Sequence, residues 1–197
     1  MKSTVSEAQT TVRALYRDAP EMAMVTDEAR TCGLDPRDPF HSQVMPRPGG
    51  GVAVPVGVHH AVGGPYDAPC PGDLLCAALA ACQDSTIRMV ANLMGIELLA
   101  LEVHVKATVD VRGAMGIHKD APVGFQSITC EVHLKASEGT PPEALEKLLV
   151  TAERCCVVSQ TLRHSPPVNT FMSVYPFEAA AQKRTAATPI PPPARAR

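Results

Sequence analysis

The sequence predicts an α+β fold in which an antiparallel sheet wraps a buried central helix. Three observations predict it. Residues 74–94, LLCAALAACQDSTIRMVANLM, are nearly free of helix breakers and apolar on all sides, the signature of a helix in the middle of a core. Alternation at Leu99, Leu101, Val103, Val105, Ala107, Val109 and Val111, and again at Ile128, Cys130, Val132 and Leu134, describes two half-buried strands that pair antiparallel. Helices and strands do not alternate as regular βαβ units, which points away from a parallel sheet.

The remaining elements follow in order. Residues 1–50 read as a helical and irregular extension, with Val12, Leu15 and Tyr16 at helical spacing, then Met22 and Val25. Turn residues fill 31–72, among them Asp35-Pro36, Asp38-Pro39 and Gly49-Gly50-Gly51. Val52, Val54, Val56 and Val58 alternate as a strand, and Pro55 within it demands an edge or a break. A Gly- and Pro-rich loop over 63–72 ends at Asp73, a natural N-cap for the central helix, and Gly95 is its stop. Thr140 before Pro141-Pro142 caps a second helix, whose stripe is Leu145, Leu148, Leu149, Ala152 and Cys156. Phe171, Val174 and Tyr175 suit a last short strand. Residues 51–177 thus form the folded domain, and the Ala-, Pro- and Arg-rich tail 178–197 is too poor in core-forming residues to order itself.

Composition narrows the function. Hydrophobic residues make up 45% of the 197, but aromatics only 4%, so the core is aliphatic. The net charge of −2 includes no basic stripe for nucleic acid and no polybasic arm for anionic lipid. No apolar run reaches the roughly 18 residues of a membrane span, and the start lacks the apolar stretch of a secretory signal. The expected location is the cytoplasm, where thiols stay reduced. The seven cysteines match neither a disulfide framework nor a zinc ribbon. They are core filler or reactive thiols.

Spacing sorts them in part. Cys82 lies mid-helix behind Ala77-Ala78-Leu79-Ala80-Ala81, with Ala78, Ser85, Thr86 and Met89 near its face. On spacing alone it is a small core residue or a working thiol. Cys76 lies roughly 240° around the helix from it and reads as core. Cys156 continues the inward stripe of the second helix and Cys155 leaves it, so a partner for Cys82 from this pair is Cys156. Cys130 reads as core, and Cys32 as incidental.

Two motifs go further. The stretch Pro71-Gly72-Asp73-Leu74-Leu75-Cys76-Ala77-Ala78-Leu79-Ala80-Ala81-Cys82 resembles the central-helix signature of the OsmC/Ohr family. The segment Ala152-Glu153-Arg154-Cys155-Cys156-Val157-Val158-Ser159-Gln160-Thr161-Leu162 resembles its second cysteine motif. Gly95-Ile96-Glu97 and Ala121-Pro122-Val123-Gly124-Phe125 fit between them, and the likeness spans roughly 52–175. The loop at His59 and His60 resembles a longer OsmC-like branch. The resemblance implies an intertwined homodimer with active sites at the subunit interface. It implies peroxide attack by Cys82, a Cys82–Cys156 disulfide, and reduction by a small external dithiol. Organic hydroperoxides are the implied substrates, with no metal and no organic cofactor.

The sequence departs from the family's peroxidase branch around the thiol. That branch places a Glu ten residues before the cysteine, and here the position is Gly72. Asp73, one residue on, is an auxiliary candidate or a helix cap. Arg47 is the candidate for the branch's arginine, with Arg88 and Arg163 as alternatives. His59 and His60 are candidate positive charges or plain loop residues. Cys70, near the helix start, is a candidate third redox thiol. A metal site from His59, His60 and Cys70 fits no usual ligand spacing. The missing Glu keeps a second reading open: an OsmC-like protein that binds a small ligand or senses oxidation without efficient peroxidase activity. A structural dimeric module with thiols as filler is the third.

Overall fold

The apolar segment that begins at Pro71 forms one long helix, α2 (Pro71–Met94), and the rest of its unit is arranged around it. The structure is a computed structural model that describes residues 4–47 and 51–174 and the backbone of 188–189. Residues 1–160 and 161–197 are two separate compact units. In the first, α1 (Thr4–Asp18) is followed by a three-stranded antiparallel sheet of β1 (Arg30–Thr31), β2 (Ser42–Met45) and β3 (Val54–Val56) in that order. After α2 come β4 (Leu98–Thr108), a short α3 (Val111–Ala114) and β5 (Ser127–Ala136). β4 and β5 form a long antiparallel pair in which Val103 faces Val132 and Val105 faces Cys130. Next are α4 (Pro142–Cys155) and α5 (Val157–Arg163), whose last three residues fall in the second unit. In the second unit β6 (Phe171–Met172) pairs antiparallel with β7 (Thr188–Pro189).

The core is aliphatic. Ile87, Val90 and Ala91 of α2 meet Leu148 and Ala152 of α4, and Leu101, Val103 and Val132 cover them from the β4–β5 pair. Ile87 and Leu148 are both 0% exposed. Pro55 sits on β3, an edge of its sheet, where the N–H it lacks is not needed by a further strand. Gly95 ends α2 with φ +69, a left-handed cap that glycine adopts without steric cost.

Several expectations are corrected. α2 is not buried all round: Ala77, Ala78, Ala81, Ser85, Met89 and Leu93 form an exposed stripe along it. An all-apolar sequence does not distinguish a face covered within the chain from one left open. By length and composition α2 also suffices to cross a membrane, against the expectation that no run does, yet here it packs against β4 and α4 as a core helix. β4 ends at Thr108, and Val111 starts α3 under an Asp110 cap, so the alternation overran the strand. Ile128 and Cys130 are exposed, since the first part of β5 extends past the helices that cover Val132. Thr140 does not cap α4. Its hydroxyl donates back to the Ser137 carbonyl at 2.8 Å, and Pro141 holds the cap position. Val12, Leu15 and Tyr16 do share a helix, but all three are exposed, and α1 is tied down at its start, where the Val5 N–H donates to Asn92 Oδ1 at 2.9 Å. Val174 lies beyond β6. Tyr175 and, apart from the β7 backbone, the tail 178–197 lie outside the described residues.

The start of α2 is also corrected. Asp73 is not the N-cap; Cys70 is, with Pro71 in the first turn. Asp73 is the third residue of a capping box, and its carboxylate accepts the Cys70 N–H at 2.8 Å. That backbone bond is the main reason the Asp73 pKa is lowered, with the Cys70 thiol, the Tyr66 hydroxyl and the charge of His59 adding to it.

Two measurements check this account. Leu148→Ala should lower unfolding stability by about 2–5 kcal/mol in denaturant titration, whereas Val150→Ala, on an exposed site, should change it by less than about 0.5 kcal/mol. Asp73→Ala should cost about 1 kcal/mol at neutral pH. Because the folded pKa of Asp73 is depressed, its contribution is present above the ordinary carboxylate value near 3.9 and is lost as pH falls through the folded value. The gap between parent and variant should therefore close in acid. A gap that stays constant down to about pH 2 would contradict the assignment.

Candidate functional site

Cys82 and Cys156 come together because α2 packs against α4. Cys82 lies one turn before Thr86 and Ile87, at the border between the exposed stripe and the core, and is half-buried. Thr86 anchors this stretch, its hydroxyl donating to the Cys82 carbonyl at 2.7 Å. Cys156 is 0% exposed. It does not continue α4, as its stripe suggested, but occupies the break between α4 and α5 in extended backbone, with φ −75 and ψ 105. The Ser159 N–H donates to Cys156 Sγ at 3.5 Å, and the Gln160 N–H to the Cys156 carbonyl at 2.9 Å, so Cys156 caps α5.

The two thiols are close enough to influence each other, and their surroundings differ. Burial pushes the Cys156 thiol above its ordinary value; the Ser159 N–H opposes this, and the hydrogen bond to Cys82 and the charge there reinforce it. Cys156 is therefore held in its protonated thiol form. Of the two, Cys82 is the one that an incoming molecule reaches.

The other candidates fall elsewhere. Cys70, Asp73, His59 and His60 gather at the N-terminal end of α2. At a rise of about 1.5 Å per residue, Asp73 is about 14 Å along the helix from Cys82 of the same chain. His59 and His60 stack with ring centroids 4.3 Å apart, and His59 lies 4.4 Å from the Tyr66 ring. The Tyr66 hydroxyl donates to Asp73 at 3.1 Å. Arg47 is exposed beyond the end of β2. Arg88 pairs with Asp84 at 2.7 Å, and Arg163 ends α5. A larger side chain at Gly72 would press on Phe125, because a Cβ there would lie 3.1 Å from Phe125 Cζ and in ordinary contact with Cys70 Sγ at 3.5 Å. The remaining cysteines separate by environment. Burial, then the charges of Asp73 and Cys70, push Cys76 up. Cys130 is exposed as a residue, yet its thiol is tucked in enough that burial, then Glu153, raise it. Among the described residues, no group of three or more His, Cys, Asp and Glu side chains is placed to hold a metal ion.

Four participants were missed in the sequence. Phe125 fills the place of the absent acid, and Ser159 reaches Cys156 through its backbone, which no side-chain pattern reports. Tyr66 stands in the left-handed region with φ +54, a conformation rare for a residue of its size. His41 bridges Asp38 and Asp67. Only the Asp38-Pro39-Phe40-His41 turn hinted at the last of these.

Comparison with known proteins bears on the fold. The fold matches an OsmC-like protein of unknown function from Vibrio cholerae with a TM-score of 0.57 and 12% identity, over 70% of this chain and 94% of that one. It matches an organic hydroperoxide resistance protein OsmC from Legionella pneumophila with a TM-score of 0.54 and 23% identity, over 71% and 90%. A third match is an organic hydroperoxide resistance protein from Elizabethkingia anophelis, with a TM-score of 0.53 and 22% identity over 72% and 91%. No curated protein matches the sequence. The family model described as OsmC-like protein matches residues 63–171, more than half of the 197. Both cysteine motifs fall inside that span, and the chain belongs to the OsmC-like protein family.

Proposed function

We propose that this protein is a cysteine-based peroxidase that reduces organic hydroperoxides, with Cys82 as the attacking thiolate and Cys156 as the resolving thiol. The observation that carries the reading is the neighbourhood of a half-buried Cys82 and a fully buried Cys156 whose thiol is pushed up by burial and by Cys82. The names of the Legionella and Elizabethkingia structures support the substrate class.

The cycle balances with one external reductant. The Cys82 thiolate attacks the terminal oxygen of the hydroperoxide and the O–O bond breaks. Cys82 becomes a sulfenic acid, and the alkoxide leaves and takes a proton as the alcohol. The Cys156 thiol condenses with the sulfenic acid, forming the S–S bond and releasing water. A small dithiol then reduces the disulfide by exchange and is itself oxidised. No metal or organic cofactor enters.

The working form in this reading is an intertwined homodimer in the cytoplasm. The exposed stripe of α2 beside Cys82 supports it, since small residues and Met89 there await a cover. The same reading places the activating charge in the second copy. Within one chain, Asp73 stands about 14 Å along α2 from Cys82, so any service it gives to the thiol comes across the interface.

Phe125 against Gly72 favours a second reading, in which an apolar, cysteine-lined pocket binds a small ligand or senses oxidation without efficient turnover. Stoichiometric titration with cumene hydroperoxide separates the two. The parent should consume one equivalent per Cys82–Cys156 pair and then turn over with a dithiol, and Cys82→Ser should lose at least 100-fold in rate, on the order of what an activated nucleophile contributes. Cys156→Ser should consume one equivalent to leave Cys82 as sulfenic acid, form no intramolecular disulfide, and with excess peroxide consume a second equivalent that mass spectrometry shows as sulfinic acid at Cys82. Unchanged consumption by Cys82→Ser overturns the peroxidase reading. A single slow oxidation without turnover favours the sensor.

A further inference from the structure

Loop 57–69 joins β3 to α2 and is closed on itself. The Gly57 N–H donates to the Pro69 carbonyl at 3.0 Å, the Tyr66 N–H to the Val58 carbonyl at 3.0 Å, and the Gly64 N–H to the His59 carbonyl at 3.2 Å. Gly64 approaches Val58 so closely that a Cβ would lie 2.1 Å from the Val58 carbonyl oxygen. Tyr66, in its left-handed conformation, carries the strain of this closure and hands its hydroxyl to Asp73 of the α2 capping box. The side chain of Asp67 points out of the loop and meets His41, the residue just before β2.

His41 has a carboxylate on each ring nitrogen. Nδ1 lies 2.8 Å from Asp38 Oδ2, and Nε2 lies 3.1 Å from Asp67 Oδ2. An imidazole donates from both nitrogens only as the imidazolium; when neutral, it turns a lone pair on one carboxylate. The two partners are not equal. Asp38 is three residues away, and its Oδ1 is already fixed by the backbone N–H of Phe40 at 2.9 Å and of His41 at 3.2 Å. Asp67 is 26 residues away on the loop. A neutral His41 therefore keeps its proton on Nδ1 toward the preorganised Asp38 and loses the bond to Asp67. We propose that His41 is a pH-operated latch, holding loop 57–69 to the N-terminal sheet as the imidazolium and releasing it when deprotonated.

Asp38 and Asp67 are the charged groups that act on His41, and neighbouring Arg37 is turned to Asp35 at 2.7 Å. Asp38 first and Asp67 second raise the His41 pKa above its ordinary value near 6.5. The sign follows. The tie is complete at and below that ordinary value and is lost as pH rises through the folded one. What is released is the loop that carries the Tyr66 bond to the cap of α2. The latch does not rest on the peroxidase reading, and its test involves no peroxide.

Amide hydrogen exchange at Tyr66 and Gly64 reads the latch directly. Protection, corrected for the intrinsic pH dependence of exchange, should fall roughly two- to five-fold in the parent between about pH 5.5 and about 8.5, the scale of an exposed charged pair. Asp67→Asn should start at the lower protection and stay flat. Asp38→Asn should keep the fall but shift it to lower pH, in step with the His41 ring resonances. An Asp67→Asn curve that follows the parent, or a flat parent curve, would overturn the proposal, as would abolition of the fall by His60→Gln with His41 still in place.

Discussion

The packing of α2 against α4 is the constraint on which the rest of the first unit depends. Ile87, Val90 and Ala91 lock onto Leu148 and Ala152, with the β4–β5 pair closing the other side. With so few aromatic rings, this interior gains its stability from many small aliphatic contacts, each sensitive to the loss of a methylene. The same contact aligns two sequence-distant cysteines. Cys82 lies one turn from Ile87, and Cys156 lies one turn beyond Ala152, so the thiol pair sits at the end of the best-packed region of the chain.

The site built there is asymmetric. The buried Cys156 is held protonated at a helix break, and Cys82 stands at the rim of an open apolar face. The acid that the family's peroxidase branch places ahead of the cysteine is replaced by Gly72 under the ring of Phe125. The nearest acid, Asp73, already serves the helix cap through the Cys70 N–H and the Tyr66 hydroxyl. A carboxylate committed to two hydrogen bonds and a helix terminus is poorly placed to exchange protons with a substrate as well.

Much of this was legible in the sequence, and the failures have physical causes. The β4–β5 alternation and the inward direction of Cys156 are periodic features, and the central helix is a long run without helix breakers; both kinds of signal survive folding. Choosing Cys156 over Cys155 needed only the stripe through Leu148 and Ala152. The role proposed for Cys82 was not legible from spacing, because a small residue among alanines describes both filler and nucleophile; the resemblance of the two cysteine motifs suggested it. Helix starts were misplaced at Asp73 and Thr140 because several nearby residues compete to cap a helix, and Asp73 serves the cap of α2 two residues into the helix. The exposed stripe on α2 was invisible because composition reports apolarity and not what covers it. His41 was missed because its partner Asp67 comes from a loop whose path no local pattern sets.

The graded burial of the cysteines has a practical consequence for anyone who labels this protein. Cys155 is exposed, Cys130 is exposed as a residue with its thiol tucked in, Cys82 is half-buried and Cys156 is sealed, so an alkylating or thiol-counting reagent meets the Cys155 sulfur before it meets the pair of interest. A change in total free thiol would mix bystander loss with site chemistry, and surface cysteines would link neighbouring molecules in an oxidising buffer. A background with Cys130 and Cys155 replaced by serine or alanine removes the two exposed cysteines, and a bulk count then still reads Cys32, Cys70 and Cys76 beside the Cys82 and Cys156 pair.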